Sequence, residues 1–328
     1  MNYRRLGKTG YEVSEVSLGT WQLGGRWGED FDEKKAETIL NTAIDNGVNF
    51  IDSADVYNNG MSEKIIGRVL KKRSENIKFA TKCGRKLDPH VAAGYNEKNI
   101  RHFVEDSLKN MEVEALDLLQ LHCPPTEVYS NGVVFNLLDQ LKKEGKIINY
   151  GVSVEKVEEA LKAMEYPNLA SVQIIFNMFR QKPSEIFFQE AKRKDIGIIV
   201  RVPLASGLLT GKMSTTTVFA KGDHRFFNRN GESFDKGETF SGVDYELGLQ
   251  AVEALKKSLP NKEPLAKLAL RWILMFDEVS CVIPGASSPE QIASNVGASS
   301  LSAFTPEEMA KVTEVYEKYI KASVHPLW

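Results

Sequence analysis

The chain has 328 residues, 42% hydrophobic and 26% charged, with 42 Lys and Arg against 44 Asp and Glu for a formal charge of −2. That length can bury a large core, and a charge so near zero offers no general attraction to nucleic acid or to an anionic membrane. Its apolar runs fall short of the roughly 20 residues that span a bilayer, and Met1-Asn-Tyr-Arg-Arg-Leu-Gly lacks the apolar centre of a signal peptide, so a cytoplasmic protein with no membrane partner is expected. Cys83, Cys123 and Cys281 are widely spaced with no C-x-x-C pair, which argues for reduced buried thiols over a disulfide framework or a zinc site.

In chain order, a Gly7-Lys-Thr-Gly10 turn between Tyr3-Arg-Arg-Leu and Tyr11-Glu-Val predicts a short hairpin ahead of a first buried strand, Val16-Ser-Leu-Gly-Thr. Helix-period segments follow at 33–46, 62–72, 97–111, 133–144, 156–164 and 184–194. Strand-like runs lie between them at 49–54, 77–83, 116–122, 148–154, 170–176 and 197–202. A last strand, Ser280-Cys-Val-Ile-Pro, precedes a helix opening at Pro289. Eight strand-helix units whose strands are buried on both faces predict a parallel sheet closed into a (β/α)8 TIM barrel, one domain over 1–328. The segment 212–245 breaks the rhythm, rich in Gly, Thr, Asp, Asn and Phe, and predicts a long lid or binding loop after the seventh strand. Helices at 245–258, 264–275 and 307–320 complete the chain.

Four polar residues, Asp52, Tyr57, Lys82 and His122, stand at or just past the C-terminal ends of three consecutive apolar runs. These are Asn49-Phe-Ile-Asp-Ser, Ile77-Lys-Phe-Ala-Thr-Lys and Leu116-Asp-Leu-Leu-Gln-Leu-His. In a parallel barrel such ends converge on one face, so an acid, a phenol, an amine and an imidazole meet there as a proton-transfer set. For reduction of a carbonyl, none of the four supplies a hydride, and a nicotinamide cofactor must. Tyr57 then donates the proton, its ordinary pKa of about 10 eased by the Lys82 ammonium, while Asp52 holds the lysine charged. His122 hydrogen-bonds the carbonyl oxygen. Singly, each has a plainer reading: an Asp-Ser-Ala cap, a solvated Lys or Tyr, a structural His. Their joint placement carries the catalytic one. Cys123 beside His122 is not expected to act with it, because neighbours on a strand face opposite ways.

The strings Gly19-Thr-Trp, Asn49-Phe-Ile-Asp-Ser-Ala-Asp-Val-Tyr, Ala80-Thr-Lys, Leu119-Gln-Leu-His-Cys-Pro, Gly151-Val-Ser, Pro203-Leu-Ala-Ser-Gly-Leu-Leu-Thr-Gly-Lys and Ile283-Pro-Gly-Ala-Ser occur in one order along the chain. In them, over nearly its whole length, the chain resembles the aldo-keto reductase superfamily. The resemblance implies a (β/α)8 barrel, NADPH or NADH as cofactor, small carbonyl substrates, and the family's catalytic tetrad on Asp52, Tyr57, Lys82 and His122. It implies cofactor contacts from Gly19, Thr20, Trp21, Asp52, Ser153 and Gln173, and from Pro203, Leu204, Ser206, Gly207, Leu208 and Lys212 in the pyrophosphate loop. Substrate contacts fall on Trp21, Tyr57 and His122. Two departures stand out: Val154 replaces a common Asn, and Arg201 replaces a common ring-stacking Tyr, either stacking through its planar guanidinium or serving as an ion-pair partner. At the adenosine end Gly285 and Gln291 replace two cations, leaving Ser287, Ser288 and the helix start at Pro289 for a 2′-phosphate, near Asn295 and with Arg225 as a source of charge. NADPH is the expected cofactor and NADH the alternative.

Other motifs fail on spacing. Gly207-Leu-Leu-Thr-Gly-Lys-Met is not a Walker A, and Gly19-Thr-Trp-Gln-Leu-Gly-Gly is not a Rossmann turn. His90, His102, His224 and His325 lack metal-ligand spacing, and no catalytic metal is expected. Trp21, Trp27, Tyr57, Phe226 and Phe227 line an apolar pocket, or the two phenylalanines pin the long loop. The rival function is a nicotinamide-binding redox-sensing or regulatory subunit with little turnover, as the family's potassium-channel β subunits suggest. A ligand-free barrel is disfavoured, because four converging polar residues cost stability. Nothing in the sequence specifies an oligomer.

Overall fold

The computed structural model describes residues 1–25, 30–259 and 263–328. A hairpin opens the chain, β1 (Tyr3–Arg5) paired antiparallel with β2 (Glu12–Ser14). Eight strands follow: β3 (Leu18–Gly19), β4 (Phe50–Asp52), β5 (Lys78–Cys83), β6 (Leu116–His122), β7 (Ile147–Ser153), β8 (Ser171–Ile175), β9 (Gly197–Arg201) and β10 (Val279–Val282). They are parallel, and their order in the sheet is their order in the chain. Parallel bridges from Val16 to Val282 and from Gly19 to Gly285 join the first barrel strand to the last and close the ring. This is the TIM barrel expected, hairpin included.

Helices α1 (Glu33–Asp45), α2 (Met61–Leu70), α3 (Glu97–Met111), α4 (Gly132–Lys143), α5 (Val157–Ala163) and α6 (Phe187–Arg193) alternate with the strands. Side-chain caps set several starts: Asp32 accepts from the Lys35 amide for α1, and Asn96 accepts from the Asn99 amide for α3. The sixth helix begins later than its periodicity predicts because Lys182-Pro183-Ser184 forms a separate 3-10 turn.

Strand alternation gives the barrel its layers. Phe50, Ala80, Leu118, Ile199 and Cys281 cluster inside with Leu6 and Val13 of the hairpin, which plugs the barrel floor. Two residues further along the same strands, Asp52, Lys82, Gln120 and Arg201 form a polar upper layer. The outward residues Ile51, Phe79, Leu119, Val152, Val172 and Ile198 pack beneath the helices. Each such side chain fully buried contributes about 1.5–3 kcal/mol, so an apolar floor and wall hold a polar mouth rigid.

The segment after β9 is more ordered than a plain loop. It carries a 3-10 stretch at Ala205–Thr210, the short α7 (His224–Phe227), and turns at Lys236–Glu238 and Phe240–Gly242. Buried Asn228 organises it: its Oδ1 accepts from the amides of Ser233 (2.8 Å) and Phe234 (2.9 Å), and its Nδ2 donates to Thr239 Oγ1 (3.2 Å). Polar side-chain-to-backbone bonds leave no hydrophobic period to read. The chain ends in α8 (Tyr245–Ser258), α9 (Leu265–Ile273), α10 (Pro289–Val296), α11 (Pro306–Tyr319) and α12 (Lys321–Val324), with α8 packed on α11. Among the described residues, no helix is long and apolar enough to cross a membrane.

Candidate active site

Three adjacent strands bring the four polar residues together. Asp52 ends β4, Lys82 lies next to the end of β5 in register with Gln120, and His122 ends β6 in register with Ser153. Tyr57 arrives from a tight turn in which Asn58 (φ 46°) and Asn59 (φ 54°) are left-handed, a conformation Asn tolerates better than most residues. Lys82 Nζ is ion-paired to Asp52, donates to the Ser53 carbonyl at 2.7 Å, and stands 3.4 Å from Tyr57 Oη. The other Asp52 oxygen accepts from Gln120 Nε2 at 3.0 Å and Gln173 Nε2 at 2.8 Å. The Tyr57 ring meets His122 edge-on at 6.0 Å and Trp21 at 5.3 Å between centroids.

Burial pulls the Lys82 ammonium down, but Asp52 and Tyr57 outweigh it, so its pKa lies above 10.5 and the amine stays charged. Burial pushes the Tyr57 phenol up and Lys82 pulls it back, leaving the net position above 10.0. The expected easing by Lys82 is therefore present in sign and exceeded by burial, with Asp52 and Glu238 adding to the rise. Burial, joined by the cations Arg85 and Lys82, holds His122 well below 6.5. It is a neutral imidazole whose buried Nδ1 has no partner. A charged amine beside a phenol, with an unsatisfied neutral imidazole across from it, can hand a proton to an oxygen placed between them.

The cofactor residues implied by the resemblance fall into three groups. Around the tetrad, Gln173 is bound to Asp52, Ser153 accepts from Cys123 Sγ at 3.3 Å, and Trp21 walls Tyr57. Thr20 faces away, donating its hydroxyl to the Asp52 carbonyl at 2.9 Å. Along the 203–212 stretch, Pro203 and Leu208 are buried, Leu204 is half-buried and Lys212 is exposed. Ser206 Oγ donates to the Glu238 carbonyl at 3.0 Å, and Arg225, paired with Asp223, reaches the Ser206 carbonyl at 3.4 Å. At the far end Gly285 bridges Gly19 and its carbonyl accepts from Asn295 Nδ2 at 3.3 Å. Gln291 folds back, its Oε1 accepting both the Ser287 amide (2.8 Å) and hydroxyl (3.2 Å).

The structure adds detail to three of the sequence readings. Cys123 lies one residue beyond β6 with φ 46°, so it turns into the mouth, where strand alternation no longer applies. Burial pushes its thiol up to about 12, so it stays protonated. Arg201 is an ion-pair partner: its Nη2 donates to Glu155 Oε2 at 2.9 Å and the Val154 carbonyl at 3.0 Å. Phe226 is exposed, whereas Phe227 meets Phe234 edge-on at 6.2 Å, a contact within the loop that fits pinning for Phe227. Trp27 lies outside the described residues.

The sequence reading missed Gln120, Arg85, Glu155 and Glu238. Gln120 was findable, two residues before His122 and so on the same inner face. The other three are single charges, Arg85 and Glu155 two residues past strand ends and Glu238 in the long loop, with no local pattern marking them. Asp55 was also passed over; burial, foremost, lifts its carboxyl to about 7, and neither oxygen has a partner.

The model of the Aldo/keto reductase family matches residues 15–317. The chain is 30% identical to a protein of Arabidopsis thaliana named probable voltage-gated potassium channel subunit beta, covering 97% of each. It is 28% identical to the NADH-specific methylglyoxal reductase of Escherichia coli, over 94% of this chain and 98% of that one. The holo form of an aldo-keto reductase from Bacillus halodurans superposes with a TM-score of 0.76 at 27% identity, covering 96% of both chains. A barrel of the same topology, a family match over nearly the whole chain and relatives named as reductases lead to one conclusion: the chain belongs to the aldo/keto reductase family and is an oxidoreductase.

Proposed function

We propose that this protein, acting as one domain, reduces small aldehydes or ketones to alcohols with NADPH as hydride donor and Tyr57 as proton donor. The observation that carries the reading is Lys82 Nζ, held by Asp52 and the Ser53 carbonyl, at 3.4 Å from Tyr57 Oη. Residues for a dinucleotide fit as well. Gly207 has φ +99° and Arg225 Nη1 lies 3.4 Å from where its Cβ would stand, so a left-handed turn that glycine suits lies beside a cation for a diphosphate. Ser153 and Gln173 would hold the nicotinamide end, the 203–212 stretch with Arg225 the diphosphate, and Ser287, Gln291 and Asn295 the adenosine. When bound, the reduced nicotinamide supplies the hydride that no side chain carries.

The chain's own residues do the rest. His122, neutral, orients the carbonyl oxygen. Tyr57 passes its proton to that oxygen as negative charge develops there, and the phenolate left behind is stabilised by Lys82. Asp52, fixed by Gln120 and Gln173, keeps the lysine charged and in place. Trp21 shields the phenol from water. NADPH is proposed on family grounds; the adenosine end offers mostly neutral groups, and a relative is named NADH-specific, so both cofactors belong in the test.

That test is the initial rate of NADPH and of NADH oxidation with 4-nitrobenzaldehyde and methylglyoxal. Turnover that discriminates between the two cofactors is expected. Tight binding of either without turnover would replace this reading by a redox-sensing or regulatory subunit; the Arabidopsis relative is named a probable potassium channel subunit.

A further inference from the structure

Beside His122, two guanidinium groups and two carboxylates converge from four separate segments. Arg85 follows β5, Glu155 follows β7, Arg201 ends β9, and Glu238 closes the Lys236–Glu238 turn of the long loop. Arg85 Nη2 donates to Glu155 Oε1 at 3.1 Å and is paired with Glu238. Arg201 Nη2 donates to Glu155 Oε2 at 2.9 Å, while its Nη1 stands 3.6 Å from Glu238 Oε1. Arg201 is 9% exposed and its Nε has no partner. The carboxylates and Cys123 Sγ lie within 4.8 Å of one another, a spacing that would suit a metal, but both carboxylates already belong to the arginines. Glu155 thus bridges the two guanidiniums through its two oxygens, and Glu238 completes their pairing from the loop side. Three of the four groups are anchored at strand ends; Glu238 alone among them comes on a loop segment.

We propose that the substrate is a carbonyl compound bearing a carboxylate, and that Arg85 and Arg201 bind this carboxylate in the place Glu238 holds. The inference rests on the reductase reading above. Exchanging one carboxylate for another keeps both guanidiniums paired in bidentate fashion. A neutral ligand in the same place leaves two largely buried guanidiniums sharing the single carboxylate of Glu155, and under-compensated buried charge is destabilising. The mouth therefore selects an anion by penalising its neutral analogue. Arg201 Nη2 stands 3.4 Å from the Sγ of Cys123, the residue after His122, which puts the bound group beside the tetrad. The carboxylate is neither oxidised nor reduced: the carbonyl carbon gains the hydride of the reduced nicotinamide, and its oxygen gains the Tyr57 proton.

The test compares 4-oxobutanoate with its methyl ester. For wild type, kcat/KM is expected to favour the acid by about tenfold or more, as for loss of a hydrogen-bonded charge pair. R85M is expected to bring that ratio close to one, and R85K, which keeps the charge without the fork, to an intermediate value. E238Q is expected to lower KM for the acid by removing the internal competitor. Without turnover, succinate is expected to raise the thermal midpoint of wild type and not of R85M. An ester reduced as well as the acid by wild type, or a ratio unchanged in R85M, overturns this proposal and leaves the reductase reading standing. Failure to reduce either compound or 4-nitrobenzaldehyde overturns both.

Discussion

Replacing Asp52 by Asn keeps the shape of the tetrad's support and removes its charge. Asp52 is 1% exposed and accepts from Lys82, Gln120 and Gln173. Removing one partner of a buried ion pair costs about 3–5 kcal/mol; Lys82 keeps the Ser53 carbonyl and can shed its proton, which places D52N near the lower end. At about 2.1 cal/mol/K per residue, 328 residues give an unfolding entropy of about 0.7 kcal/mol/K, so the thermal midpoint falls by about 4–5 °C. The pH dependence has a definite sign. In wild type the Lys82 pKa is raised above 10.5, so its stabilisation is fully present below 10.5 and lost only as pH climbs through the raised value. In D52N, burial unopposed by Asp52 depresses the Lys82 pKa, and the folded state carries a penalty that fades as pH rises toward the unfolded value of about 10.4. The difference between the two proteins is therefore largest near neutrality and narrows toward pH 10. Thermal midpoints at pH 7.5 and pH 10 measure it. A gap below about 1 kcal/mol at pH 7.5, or one that widens toward pH 10, would show that Asp52 does not hold Lys82 as argued.

Two further predictions follow from the mouth. His122, held neutral by burial, Arg85 and Lys82, makes the folded state resist protonation, so wild type loses stability as pH falls below about 6.5. H122Q is expected to lose less than wild type between pH 7 and 5 in urea titrations, and equal acid sensitivity would contradict a depressed His122. At Gly207, φ +99° and the close Met213 methyl make Ala strained, at a cost of about 1–3 kcal/mol. G207A is expected to bind NADPH at least tenfold more weakly by fluorescence titration, and unchanged affinity would remove the 206–207 backbone from the cofactor site.

The barrel was legible because its signal is periodic. Strand runs such as 116–122 and helix starts such as Asp32 and Asn96 carry pattern and caps in a few adjacent residues. The meeting of the four polar residues was legible because Asp52, Lys82 and His122 stand at the ends of three such runs and Tyr57 just past the first. What escaped lies where side chains meet across the fold. Arg85, Glu155, Arg201 and Glu238 become a cluster only once three strand ends and the loop are placed together. Cys123 escaped because a single left-handed residue past a strand reverses its facing, and the loop's order escaped because buried Asn228, not an apolar stripe, holds it.

The central claim is that Tyr57, poised by Lys82, delivers the proton. The most direct measurement is single-turnover NADPH oxidation by wild type and Y57F with 4-nitrobenzaldehyde, alongside cofactor affinity. Loss of a positioned proton donor is expected to slow the chemical step by about 10²–10⁴-fold while the cofactor Kd stays nearly unchanged. Retention of the rate in Y57F, or loss of cofactor binding together with activity, would contradict the proton-donor role.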